Sequence, residues 1–321
     1  MDAKKIINQI LEEKGKITDV YFVACGGSLV DLYPVSYFIQ GESKTIHSMY
    51  YTSKEFVISA PKTLTKNSIT IVCSHSGNTP EAIEAAKLAK SLGSYVIVFT
   101  NNEKSKINSD SFNVIVYPWG DEISVQDEPM GESYALMNEL LKAQEDYCEY
   151  EKMKDGLSKI DGVIRKAVQV EKDSAVSFAD KYSKEPFLYI VGSGASFSQA
   201  YGFSICSLME MQWINCGYIH SAEFFHGPFE VLDKDVLYIL LMNEGRTRVM
   251  DERVLKFLKK YGSKYAVIDT RNFGIDIIDK DVVDYFNPFV FYKMACLYRE
   301  ELAKVKGHPT SVRRYMGVVE Y

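Results

Sequence analysis

The chain repeats itself, and that repeat constrains its fold more than any single residue does. Val20 to Ala24 reads as a buried strand running into Cys25-Gly26-Gly27-Ser28, and a helical pattern follows from Leu29 to Gln40. A second unit has a strand from Ile69 to Cys73, the turn Ser74-His75-Ser76-Gly77-Asn78-Thr79-Pro80, a helix from Glu81 to Leu92, and a strand from Tyr95 to Phe99. Pro80 just inside that helix and Gly93 just past it follow the usual asymmetry of helix ends. The same order returns about 170 residues later in Leu188 to Ser196, Tyr238 to Thr247 and Tyr265 to Thr270. Apolar strands alternating with helices predict an α/β protein with two tandem domains, each a parallel β-sheet flanked by helices. Residues 131 to 183 carry long Lys- and Glu-rich helical patterns suited to a connecting helix pair and a dimer surface, so the expected domains are 1–160 and 161–321. A short amphipathic helix with Ile6, Ile7, Ile10 and Leu11 on one face leads the chain and is a candidate to pack on a partner.

Composition narrows the partners. At 321 residues and 46% hydrophobic content the chain can bury two cores. Its formal charge of −6 and the absence of a basic run argue against nucleic acid. No stretch approaches the roughly 18 apolar residues of a membrane span, and the N-terminus lacks the apolar core of a signal peptide. Cys25, Cys73, Cys148, Cys206, Cys216 and Cys296 form no C-x-x-C pair, which reads as reduced, buried thiols of a cytoplasmic protein.

The most specific local signal is Ser74-His75-Ser76-Gly77-Asn78-Thr79. Three hydroxyls sit where the first N–H groups of a helix lack intrahelical partners and the helix dipole favours an anion, so a phosphate fits. The bland alternative is an ordinary helix cap by Asn78 or Thr79. Ser28, after Gly26-Gly27, opens the neighbouring helix, and parallel sheets bring such turns to one crevice. The second copy has Asn243-Glu244-Gly245-Arg246-Thr247 instead, and a carboxylate in place of Ser76 repels a dianion. Phosphate binding is therefore expected of the first domain alone.

The second domain offers different chemistry. Glu210 lies among Leu208, Met209, Met211 and Trp213, where desolvation raises a carboxyl pKa toward that of a proton shuttle; the alternative is a solvent-facing Glu on an amphipathic helix. His226 precedes Gly227-Pro228, a rigid turn that holds an imidazole at a crevice edge or simply has a structural histidine in it. Glu223, three residues earlier, is placed to orient the ring or to serve as a plain surface acid. The histidines show no metal-ligand spacing, so no catalytic metal is expected. Gly192-x-Gly194 does not complete a dinucleotide fingerprint, so no nicotinamide cofactor is expected either.

Cys25-Gly26-Gly27-Ser28, the Ser74 to Glu81 turn and Glu223-Phe224-Phe225-His226-Gly227-Pro228 resemble the tandem sugar-isomerase (SIS) proteins along essentially the whole chain. Leu208 to Trp213 and the ending Arg313-Arg314-Tyr315-Met316-Gly317-Val318-Val319-Glu320-Tyr321 resemble the fructosamine-6-phosphate deglycases within that group. The resemblance implies a phosphorylated sugar-amine substrate and no cofactor. It also implies a homodimer or higher homo-oligomer, with an active site near the subunit interface. It makes Glu210 the proton-transferring carboxylate and His226 the acid-base group for ring opening. Gly26, Gly27, Ser28, Ser74, His75, Ser76, Gly77, Asn78, Thr79, Glu223, Arg314 and Tyr315 become substrate-binding residues. Related synthases close a C-terminal lysine over the sugar; this chain has none after Lys306, so that role does not carry over. An isomerase or deaminase of the same architecture, acting on an amino-sugar phosphate, and a non-catalytic sugar-phosphate sensor remain the alternatives.

Overall fold

The computed structural model describes residues 1–262 and 264–320. Two compact units divide the chain, Met1–Ser158 and Lys159–Tyr321. The first runs α1 (Ala3–Lys14), β1 (Asp19–Ala24), α2 (Gly27–Glu42), β2 (His47–Thr52), α3 (Ser53–Ile58), β3 (Ser68–Cys73), α4 (Pro80–Ser91), β4 (Tyr95–Thr100), β5 (Asn113–Val116) and α5 (Pro129–Glu145). The division falls inside α6 (Tyr150–Tyr182), a continuous helix of 33 residues, and not in a Gly- or Pro-rich linker. The second unit continues with β6 (Phe187–Gly192), α7 (Phe197–Tyr201), a π-helical stretch Gly202–Met209, α8 (Glu210–Gln212), β7 (Asn215–His220), β8 (Leu237–Met242), α9 (Arg248–Tyr261), β9 (Lys264–Asp269) and α10 (Asn287–Lys306).

Both sheets are wholly parallel. The first has the order β2-β1-β3-β4-β5 and the second β7-β6-β8-β9, so the strand that leads each repeat lies second from one edge in both. Every residue of β1, β3, β4 and β8 is buried, which is why these strands read as unbroken apolar runs and not as alternating ones. In the first unit Tyr21, Val72 and Val98 pack on the alanine face of α4 (Ala82, Ala85, Ala86 and Ala89), whose small side chains let the helix lie close to the sheet. In the second, Leu240 and Tyr238 pack with Val254 and Leu258 of α9 and with Phe224.

Two expectations are corrected here. Ile7 and Ile10 of α1 are buried within the first unit, where α1 packs on α5, so this face is already covered by the chain itself. Of the six thiols only Cys73 and Cys216 are buried; Cys25 and Cys148 are exposed. Cys25 follows β1 at the open end of the sheet and Cys148 lies in the loop between α5 and α6, where strand periodicity says nothing about burial. Among the described residues, no helix is long and apolar enough to cross a membrane.

Candidate functional site

The hydroxyl-rich turn follows β3. Thr79 takes the N-cap position of α4 but makes no side-chain cap bond. Asn78 is committed elsewhere: its Nδ2 donates to the Ser76 carbonyl at 3.1 Å, and its Oδ1 accepts from the Lys106 N–H at 3.1 Å. Neither residue is the helix cap that composition alone makes the default. Ser74 Oγ donates to Thr79 Oγ1 at 3.2 Å and Ser76 Oγ accepts from the Asn78 N–H at 3.2 Å, so the three hydroxyls line one tight loop. Gly77 makes that loop possible. Its φ is +65°, and a Cβ there would lie 2.2 Å from Ser105 Oγ and 2.6 Å from Thr100 Oγ1. Ser28, at the start of α2, is near enough to the Cys73 thiol at the end of β3 to draw its pKa down against the larger effect of burial, so the first and second turns of this unit come close. Burial pushes that thiol well up, which removes it as a nucleophile at neutral pH. His75 Nδ1 lies 2.8 Å from the Tyr117 hydroxyl, and its ring meets Trp119 edge-on at 5.1 Å. Shielding from solvent lowers the His75 pKa and favours the neutral imidazole. Gly26 (φ +55°) is the N-cap of α2, and Gly27 is that helix's first residue.

The corresponding turn after β8 is filled by the protein's own side chains. The Arg246 N–H donates to Asp284 Oδ1 at 2.8 Å and the Glu244 N–H donates to Asn287 Oδ1, also at 2.8 Å. Arg246 Nε donates to Asp284 Oδ2 at 2.9 Å. Ser193 and Ser221, at the ends of β6 and β7, both donate to Asp251 Oδ1 (2.7 and 2.6 Å), and Asn243 bonds the same carboxylate through its backbone N–H and its amide. Burial pushes the Asp251 carboxyl up, against the pull of these four bonds. Glu244, read from sequence as a charge that repels phosphate, is ion-paired with Arg271. The stronger obstacle to an anion is therefore a carboxylate already seated, Asp284, contributed from about 40 residues downstream.

Glu210 begins α8 directly after the π-helical stretch, a local widening often found at functional sites. Its side chain is 23% exposed and its Oε1 accepts from Arg313 Nη2 at 2.7 Å. This corrects the picture of a carboxylate set wholly among apolar neighbours: Leu208 is buried, but Met209 and Trp213 are exposed, and the group that faces Glu210 is a guanidinium from the C-terminal tail. Trp213 sits in the left-handed region at φ +53°, ending the helix so that its indole stacks under Arg314 at 4.2 Å and beside His308 at 4.4 Å. Glu210, Trp213, Asn215, Arg313, Arg314 and Tyr315 thus line one cleft of ≈ 650 Å³, whose remaining walls are apolar.

His226 and Glu223 are exposed in the turn before Pro228, where the His226 N–H donates to the Glu223 carbonyl at 2.9 Å. That contact runs through the backbone, so it orients the turn and not the imidazole. His226 is not among the residues of the Glu210 cleft. Sequence reasoning missed Arg313 as the partner of Glu210, and missed Asp284 and Asn287 altogether. Among the described residues no group of three His, Cys, Asp or Glu side chains is arranged to hold a metal ion.

The SIS domain family matches residues 17–137. The chain is 41% identical over 309 residues to fructosamine deglycase FrlB of Bacillus subtilis, covering 96% of this chain and 94% of that one. It is 26% identical over 326 residues to fructoselysine 6-phosphate deglycase of Escherichia coli O157:H7, covering 98% and 91%. A solved Bacillus subtilis structure, assigned to the phosphosugar isomerases, superposes with a TM-score of 0.93 at 39% identity over 100% of both chains. One from Salmonella typhimurium LT2, assigned likewise, gives 0.96 at 36% over 100% and 96%. With two parallel α/β units, an open hydroxyl turn in the first and these full-length relatives, the chain belongs to the SIS-domain proteins and, within them, to the fructosamine deglycase family.

Proposed function

We infer that this protein is an enzyme that cleaves fructosamine 6-phosphates to glucose 6-phosphate and a free amine or amino acid. The likeness to a fructosamine deglycase at 41% identity carries the reading, because it runs through both units. The geometry supplies a reason for each part. The turn Ser74 to Thr79, with its helix cap uncommitted, takes the phosphate with Ser28, and it positions the sugar by binding energy remote from the reacting carbons. Glu210, in an accessible cleft, is the proton-transferring carboxylate.

The steps balance without a change of oxidation state overall. His226 assists opening of the sugar ring. Glu210 removes a proton from C1 of the open-chain ketosamine, and the electron pair forms the C1–C2 double bond of an enaminol as the C2 carbonyl gains a proton. Reprotonation at C2 converts the enaminol into an imine at C1. Water adds to that imine and the amine leaves, giving glucose 6-phosphate. Arg313 Nη2 holds Oε1 of Glu210 at 2.7 Å and so orients the carboxylate in the cleft for the first proton transfer.

Incubation with a panel of phosphorylated Amadori compounds, coupled to glucose 6-phosphate detection, tests the reading. Glu210→Gln is expected to lower kcat by about 10²–10⁴ while leaving glucose 6-phosphate affinity within a few fold. Retained turnover in that variant removes Glu210 from the mechanism. Absence of glucose 6-phosphate from every compound with the unaltered protein removes the deglycase reading.

A further inference from the structure

The charges in the Glu210 cleft do not cancel. Its ionisable lining at neutral pH is one carboxylate, Glu210, against two guanidiniums, Arg313 and Arg314. Arg313 is engaged: Nη2 donates to Glu210 and Nη1 donates to the carbonyls of Thr310 and Val312 at 2.6 and 3.0 Å. Arg314 is not. Among the described residues no carboxylate pairs with it, and its contacts are ring faces, Trp213 at 4.2 Å and Tyr315 at 6.0 Å from the centroids. A guanidinium held over an indole face by this contact still has N–H donors to offer a bidentate oxyanion. In a chain of net charge −6, one unmatched cation beside the carboxylate assigned to proton transfer calls for an anion on the substrate.

Resting on the deglycase reading above, we propose that Arg314 binds the carboxylate of the amine half of the substrate, so that the protein selects fructosamine phosphates of amino acids over those of uncharged amines. Covalent geometry supports the placement. In an adduct formed through an α-amino group, the carboxylate carbon is three bonds from C1. A base that reaches the C1 proton therefore has that carboxylate within one residue's reach. Arg314 is the neighbour of the residue that holds Glu210. The sugar phosphate is not the anion in question on this reading, since it belongs to the Ser74 to Thr79 turn.

The test compares two synthetic substrates that differ in one group, the fructosamine 6-phosphates of glycine and of glycinamide. The unaltered protein is expected to favour the glycine adduct in kcat/KM by about 10- to 100-fold, the size of a lost charge-assisted bidentate contact, with the difference in KM. In Arg314→Gln the acid-to-amide ratio is expected to fall to near one, and in Arg314→Lys to lie between. A variant that loses equally on both substrates keeps its ratio; Arg314 then holds the tail in place and the proposal fails. If Arg314→Gln weakens glucose 6-phosphate as much as it weakens the glycine adduct, Arg314 seats phosphate and the proposal fails. Should the unaltered protein turn over both adducts equally, the carboxylate proposal falls while the deglycase reading stands. Turnover of neither overturns the proposal, and the deglycase reading falls with it if the wider panel of Amadori phosphates is also inert.

Discussion

The turns after β3 and after β8 hold equivalent places in the two units and differ in what occupies them. Each has a glycine at positive φ, Gly77 at +65° and Gly245 at +110°, where a side chain would collide with a neighbour. In the first turn the neighbours are the hydroxyls of Ser105 and Thr100, and the cap position of α4 is left without a side-chain bond. In the second the neighbour is the Asp284 carboxylate, which takes the Arg246 N–H and is clamped by the Arg246 side chain. An exposed turn that aims N–H groups at one point needs an anion or water there. Of the described residues, no carboxylate is among the first turn's nearest neighbours there; the second turn has an anion built into it from its own chain. The seated carboxylate already takes the Arg246 N–H and pairs with its side chain, so the place an anion would occupy in the second turn is filled.

Substituting Ser76→Glu imports the charge of the second turn into the first and is expected to have the largest effect. Like charges brought together cost several kcal/mol, so glucose 6-phosphate binding measured by calorimetry should weaken by about 10³-fold with the far-ultraviolet spectrum unchanged. Unchanged affinity breaks the comparison outright. Gly77→Ala and Gly245→Ala come next. Both are expected to cost about 2–3 kcal/mol in urea unfolding through a strained φ and overlap with a packed neighbour, but only Gly77→Ala should also weaken the sugar phosphate. Equal effects of the two on ligand would mean that the second turn binds it as well. Asp284→Asn keeps the shape and removes the charge, and is expected to cost about 1–3 kcal/mol with sugar-phosphate affinity unaltered. That cost is moderated by the solvent around Arg246, whose side chain is 57% exposed.

The smallest effect is on pH dependence. Burial lowers the pKa of His75 in the first unit, and it is the largest influence lowering that of His220 in the second, where Asp251 and Glu223 oppose it. As pH falls through the unfolded histidine pKa of about 6.5, the unfolded chain takes up protons before the folded one does, so stability declines on acidification toward the lower folded values. His75→Gln should flatten that decline, read from urea midpoints between about pH 7.5 and 5.5. A slope that does not change means that His75 is not its source.

How much of this was legible depends on range along the chain. The strands announced themselves because β1, β3, β4 and β8 are buried on both faces and must be apolar throughout. The start of α4 was legible because Pro80 and the hydroxyls before it carry their preference locally. The Glu210 environment was misread for the opposite reason. Its apolar sequence neighbours, Met209 and Trp213, face outward, and its true partner Arg313 lies 103 positions away. Asp284 and Asn287 were invisible for the same cause, since neither carries a motif and each meets its turn only in the folded second unit, 38 and 43 residues from its partner.

The amino-acid sequence by itself determined the duplication, the buried strands that begin its repeated units, the glycine at each turn and the family. All of these rest on contacts between near neighbours or on periodicity that any fold of this class must satisfy. Only the tertiary structure decided which turn is open, which guanidinium holds Glu210 and which one remains uncommitted. Pairing of charged side chains depends on distances of a few ångströms between segments that the chain brings together from far apart, and no local pattern encodes those distances.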